Sequence, residues 1–116
     1  MNAIIFIMGV SGSGKSTIGR ALSLKMDIPF YDGDNFHSNE NLSKMSQGQP
    51  LDDEDRHPWL ASINKHARLQ KSGAIYACSA LKSSYRKVLE ENLAKAVYWI
   101  FLNGDFDLIR RRLANR

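Results

Sequence analysis

The chain has 116 residues, 43% hydrophobic and 24% charged, which allows one domain with one sizeable core and excludes a disordered, collagen-like or coiled-coil chain. Sixteen Lys and Arg against twelve Asp and Glu leave a net charge of +4, an excess that suits small polyanionic ligands as readily as nucleic acid. No apolar run approaches the ~18 residues of a membrane span, no signal-peptide pattern opens the chain, and the single cysteine, Cys78, excludes an internal disulfide framework and a cysteine-based zinc site.

The elements alternate. Ala3-Ile4-Ile5-Phe6-Ile7-Met8 is a continuous apolar run ending at Gly9, the pattern of a strand buried on both faces. Residues 16–26 carry Ile18, Ala21, Leu22 and Met26 at helical spacing. Pro29-Phe30-Tyr31 is a short second strand, stopped at Asp32-Gly33-Asp34. Residues 39–46 form a short helix with Leu42 and Met45 three apart, and Gly48-Gln49-Pro50 breaks it. The acidic run 52–55 suits the first turn of another helix, where the dipole favours carboxylates. Pro58 fits only a first turn, and Leu60, Ile63 and Ala67 make the inner face, with Trp59 also in the core. Residues 74–79 are a third strand, with Cys78 as a small buried residue. Ser83 or Ser84 caps a helix that turns Val88 and Leu89 inward. Residues 97–102 are a fourth strand, Asn103-Gly104-Asp105 a turn, and 106–113 the start of a last helix. Strands separated by helices predict right-handed βαβ units and a parallel sheet.

The segment Gly9-Val10-Ser11-Gly12-Ser13-Gly14-Lys15-Ser16 matches G-x-x-x-x-G-K-[ST], the P-loop, and sits between a buried strand and a helix as that mechanism requires. Glycines let successive backbone N–H groups turn inward around a phosphate, and the helix N-terminus adds partial positive charge. Lys15 can reach the β- and γ-phosphates, and the Ser16 hydroxyl can bind Mg²⁺. A G-x-G-x-x-G dinucleotide loop has no place for the Lys15-Ser16 pair. The fold class that follows is α/β: a three-layer, P-loop nucleoside-triphosphate-hydrolase-like fold with a parallel sheet flanked by helices.

Asp32-Gly33-Asp34 falls at the C-terminal end of the second strand, on the sheet edge that faces the ligand crevice. Two carboxylates at this spacing point in different directions: one can hold a metal through water while the other takes a proton or hydrogen bond from a hydroxyl substrate. The alternative is a polar turn, since Asp-Gly is good turn chemistry. The third strand ends in Ser79 without an acidic residue, which moves the metal's carboxylate role to Asp32. His37, Arg56, Lys82 and Arg86 are cations or hydrogen-bond donors that would suit an anionic acceptor. His57 and His66 read as structural or solvated. The arginines at 110–112 and Arg116 have no aromatic-basic pattern around them, so no nucleic-acid partner is expected, nor a membrane one.

Together these residues make the chain resemble the gluconokinases, small P-loop kinases that phosphorylate D-gluconate to 6-phosphogluconate with ATP and Mg²⁺. The resemblance spans essentially the whole chain. It is carried by residues 8–16, by Tyr31-Asp32-Gly33-Asp34 with His37 and Asn41, and by Lys44-Met45. Two narrower blocks then decide it, Gly48-Gln49-Pro50-Leu51-Asp52-Asp53-Glu54-Asp55-Arg56-His57-Pro58-Trp59-Leu60 and Cys78-Ser79-Ala80-Leu81-Lys82 with Tyr85-Arg86. The shikimate kinases are similar in the P-loop and the acidic pair but lack those blocks.

The resemblance implies a single kinase domain over 1–116, with an acceptor-binding helical insert at about 36–72 and the start of a lid at about 110–116. It implies a cytoplasmic enzyme in which Gly9, Val10, Ser11, Gly12, Ser13, Gly14, Lys15, Ser16, Thr17 and Arg112 bind ATP. Ser16 and Asp32 serve Mg²⁺, and Lys15, Asp34 and Arg116 are catalytic. Asp34, His37, Arg56, Lys82 and Arg86 face gluconate. Members of that family continue past the position of Arg116 through a Gly-His-Phe lid segment, a helix, a fifth strand and a last helix, and that strand is expected on the far side of the P-loop strand. Three readings stay open: a fragment, a shortened enzyme, or a chain that completes itself as a homodimer. The functional alternatives are a nucleotide-binding remnant without turnover and a kinase of another small anion such as shikimate.

Overall fold

In the computed structural model, the described residues are 2–9, 14–79 and 82–102. Strand β1 (Ala3–Met8) is buried at all six positions. Its side chains alternate between two apolar layers, as a pleated strand requires. Ile4, Phe6 and Met8 join one layer and Ile5 and Ile7 the other.

Helix α1 (Lys15–Met26) starts from Gly14, whose φ of 92° is left-handed and therefore suits glycine. It lays Ile18, Leu22 and Met26 on the Ile5/Ile7 layer. Strand β2 (Phe30–Asp32) runs one residue further than the apolar pattern predicts and takes in Asp32. A 3-10 turn (Gly33–Phe36) follows, with Asp32 as its cap. Helix α2 (Asn39–Ser46) is capped by the Ser38 side chain, which accepts from the Asn41 N–H.

Helix α3 (Asp53–Arg68) opens with a capping box in which Asp52 and Asp55 satisfy each other's backbone N–H groups. The helix therefore begins early enough to leave Pro58 beyond the first turn, contrary to the sequence expectation. The N–H that proline withholds would have bonded the carbonyl of Glu54, an exposed residue. Strand β3 (Ala74–Cys78) is buried throughout. Helix α4 (Ser83–Glu90) has Lys82 at its N-cap without a side-chain cap bond, so neither Ser83 nor Ser84 caps it; Ser83 is already helical. Tyr85 and Leu89 are its buried residues, and Val88 is partly buried against them. Strand β4 (Ala96–Phe101) closes the described sheet.

The strand order is β2-β3-β1-β4 and every pairing is parallel. Helices α3 and α4 cover the face of Ile4, Phe6 and Met8 through Trp59, Leu60, Ile63, Tyr85 and Leu89, while α1 covers the other. The far side of β1 is taken by β4, paired from Ala3↔Ala96 to Met8↔Phe101. The edges of the sheet among the described residues are therefore those of β2 and β4, not of the P-loop strand, and Tyr98 and Phe101 are exposed on β4. The turn expected at 103–105 and the helix expected at 106–113 lie outside the described residues. The chain turns from β1 to β2 on one side and reaches β4 on the other, so the C-terminal end of β1 is a switch point where ligands bind in open α/β sheets.

Candidate active site

The ends of β1, β2 and β3 converge on that edge. Lys15 Nζ donates to the Gly9 carbonyl at 2.7 Å, folding the lysine back across the start of the P-loop. Ser16 Oγ donates to Asp32 Oδ2 at 3.2 Å. The other oxygen of the same carboxylate, Oδ1, accepts the Asp34 N–H at 3.0 Å. Asp32 is thus held at both oxygens, and Asp34 is left exposed on the turn. The two carboxylates diverge, as their spacing predicts.

A cavity of ≈ 470 Å³ opens beside this edge, lined by Lys15, Asp34, His37, Arg56, Trp59 and Ser79, with Met45 and residues 48–51 on its wall. The Trp59 indole N–H donates to the Gly33 carbonyl at 2.7 Å, so a core residue of α3 pins the Asp32–Asp34 turn. The His37 ring stacks on Trp59 at 4.3 Å between centroids, 15° from parallel. Burial holds the His37 imidazole below its ordinary range, with Asp34 opposing and Arg56 adding to the shift.

Arg56 Nη1 donates to the Tyr85 hydroxyl at 3.1 Å. Tyr85 in turn donates to Asp53, which also accepts from Lys82 Nζ at 3.1 Å. The Tyr85 hydrogen bond, then Lys82, keeps the Asp53 carboxyl below its usual range. A second ion pair, Lys44 Nζ to Asp55 Oδ2 at 2.8 Å, ties α2 to the capping box of α3. The acidic run is therefore more than a dipole complement: Asp53 braces the arginine's partner and Asp55 anchors the neighbouring helix.

Three comparisons bear on what this arrangement belongs to. The family model described as Shikimate kinase matches residues 11–116. A probable gluconokinase of Dictyostelium discoideum is 48% identical over 97% of this chain and 60% of its own length. A probable gluconokinase of Xenopus tropicalis is 40% identical over 97% of this chain and 68% of its own length. The chain belongs to the gluconokinase family. The crystal structure of a gluconokinase from Sinorhizobium meliloti 1021 superimposes with a TM-score of 0.82 at 42% identity, covering 98% of this chain and 65% of that one. The chain thus spans about two thirds or less of most of these gluconokinases' length, and its three-layer α/β architecture is that of a P-loop kinase.

Within this gluconokinase fold, the predicted site residues separate into groups. Gly9, Gly14, Lys15, Ser16 and Asp32 meet at the end of β1, with Thr17 exposed on the first turn of α1. Asp34, His37 and Arg56 share the cavity with Lys15. Lys82 and Arg86 are not among the cavity's lining. Lys82 is exposed and paired with Asp53, and the Arg86 guanidinium lies 5.6 Å from the centre of the Phe101 ring. Val10, Ser11, Gly12, Ser13, Arg112 and Arg116 lie outside the described residues.

Three residues quoted for the resemblance carry roles that the sequence reading did not give them. Trp59 reads as core and is core, only 2% exposed, yet it also carries the turn and the histidine. Tyr85 bridges Arg56 to Asp53. Asn41 is buried on α2, where the pattern points instead to Leu42 and Met45; both of those are exposed, and Met45 faces the cavity. The available signal was the N-cap Ser38, which sets His37 just before the helix and Asn41 in its first turn.

Proposed function

We propose that the chain binds Mg²⁺-ATP at the P-loop and transfers the γ-phosphoryl group to a hydroxyl of D-gluconate, giving 6-phosphogluconate and ADP. The observation that carries this reading is the shared cavity. The phosphate lysine, a free carboxylate and two donors suited to a sugar acid line one space. Lys15 leaves the Gly9 carbonyl for the β- and γ-phosphates, and its charge stabilises the transferring group. Asp34 accepts the proton of the attacking hydroxyl as the new O–P bond forms and the bond to the ADP oxygen breaks. Arg56, steadied by Tyr85, pairs with the acceptor's carboxylate, and His37 hydrogen-bonds the acceptor. The 36–72 insert carries both groups, Arg56 on α3 and His37 just before α2. Lys82 acts indirectly, by holding Asp53 against Tyr85.

Ser16 Oγ and Asp32 Oδ2, 3.2 Å apart, are the residues that would hold Mg²⁺. Among the described residues no cluster of three or more His, Cys, Asp or Glu offers a complete metal cage. Such a sparse, all-oxygen set fits an ion that keeps several waters and takes the rest of its shell from phosphates. When bound, that ion neutralises charge on the phosphate oxygens.

The test is ADP release by this chain with Mg²⁺-ATP, alone and with D-gluconate or shikimate; the shikimate arm answers to the family model. Gluconate-dependent release is expected, and release driven by shikimate but not gluconate overturns the substrate assignment. Asp34→Asn is expected to lower kcat by about 10²–10⁴-fold while Mg²⁺-ATP still raises the melting temperature by binding linkage. Unchanged turnover removes Asp34 from the chemistry.

A further inference from the structure

Asn41 is only 3% exposed, and its amide makes two contacts that fix its chemistry. Its Nδ2 lies 2.8 Å from the Asp55 backbone carbonyl and 3.2 Å from His37 Nδ1. A carbonyl oxygen can only accept, so the atom facing Asp55 is the amide nitrogen rather than the amide oxygen. An amide NH₂ can only donate, so His37 Nδ1 must be the acceptor and carry a lone pair. A neutral imidazole with its lone pair on Nδ1 has its proton on Nε2. Among the described residues no protein group bonds that Nε2, while the ring itself lines the cavity. Trp59 holds the plane of the ring by stacking, and is itself fixed by its bond to Gly33.

We propose that Asn41 is a positioning residue that locks His37 in its Nε2–H tautomer, so that the acceptor cavity presents a neutral N–H donor to an oxygen of the bound sugar acid. The inference rests on reading the cavity as the acceptor site and adds a specificity element to it. The donor selects ligands that bring an accepting oxygen to that point, beside the charge of Arg56 and the carboxylate of Asp34. A ligand lacking that oxygen leaves a desolvated N–H unpaired. Burial, which disfavours the imidazolium, works in the same direction, with Asp34 opposing and Arg56 assisting.

The test is a long-range ¹H–¹⁵N correlation spectrum of the ligand-free chain, which distinguishes imidazole tautomers directly. The chain holds three histidines, and loss of one ring system in His37→Gln assigns the relevant signals. The expected result above the titration of the ring is an unprotonated Nδ1 and a protonated Nε2. An Nδ1–H tautomer, or an averaged mixture, overturns the proposal. Asn41→Asp replaces the donor by an acceptor and is expected to protonate Nδ1 and hold the imidazolium to higher pH; an unmoved tautomer overturns the clamp. Asn41→Ala is expected to raise KM for gluconate about tenfold with KM for ATP unchanged, and equal rises in both would mark a merely structural role. If either variant fails to fold, the spectrum of the unaltered chain still decides. A chain inert towards gluconate that nonetheless shows the Nε2–H tautomer refutes the substrate reading and supports the clamp.

Discussion

At the scale of single residues, the site is built from side chains that hold one another before they hold a ligand. Asp32 spends one oxygen on Ser16 and the other on its own turn. Arg56 leans on Tyr85, which leans on Asp53. Such mutual bonding reduces the reorganisation needed when substrate arrives. The titration of His37 gives this a measurable sign. Its folded-state pKa lies below the ordinary 6.5 because burial disfavours the charged ring. The neutral ring's contribution to stability is therefore complete above about pH 6.5 and is lost as pH falls through the lowered value. Thermal melts of the unaltered chain should decline as pH falls below about 6.5, and His37→Gln should flatten that limb. Parallel declines in the two proteins would remove His37 as the cause.

At the scale of elements, the turn after β2 is the critical join. A Cβ on Gly33 would run into the Ala77 carbonyl oxygen of β3. Gly33→Ala must therefore part the ends of β2 and β3 and displace both carboxylates. The expected cost is about 1–3 kcal/mol, read as a lower denaturation midpoint, together with a fall in kcat; a variant as stable and active as the parent would show that the turn yields freely. The elements also show what a sequence can disclose. The unbroken apolar run of β1 and the periodicity of α1 are direct records of burial by neighbouring layers, so both were legible, as was the convergence of Lys15, Ser16 and Asp32. Helix α2 was legible as a helix but not in its orientation. Its inward residue, Asn41, is buried by hydrogen bonds to His37 and Asp55 rather than by apolar contact, and hydrophobic spacing has no term for that. The start of α3 was obscured by Pro58, whose local preference yields to the Asp52–Asp55 capping box and the packing of Trp59, Leu60 and Ile63. Lys82 and Arg86, expected at the acceptor from their charge and from the resemblance, contact Asp53 and the Phe101 ring in this structure, partners that neither signal discloses.

At the scale of the whole molecule, β1 joins everything. It lies between β3 and β4 and contributes to both apolar layers. Phe6 is fully buried, stacked on Trp99 of β4 at 4.5 Å between ring centroids and tilted against Tyr76 of β3 at 5.7 Å. Phe6→Ala should cost about 3–5 kcal/mol, a large share of the ~5–15 kcal/mol that holds a domain together. Chemical denaturation should show it as one earlier transition rather than as local loosening, and two separated transitions would mean that the layers on either side of β1 unfold independently. The central place of β1 also bears on how the chain is made. Strand β1 is an unbroken apolar run, yet the partners of Ile4 are Ala74 and Val97, synthesised far later. Until β3 emerges, β1 has no strand to pair with, and closing so long a loop is slow. During synthesis the segment that anchors the finished fold is therefore the one most exposed to aggregation and most in need of a chaperone.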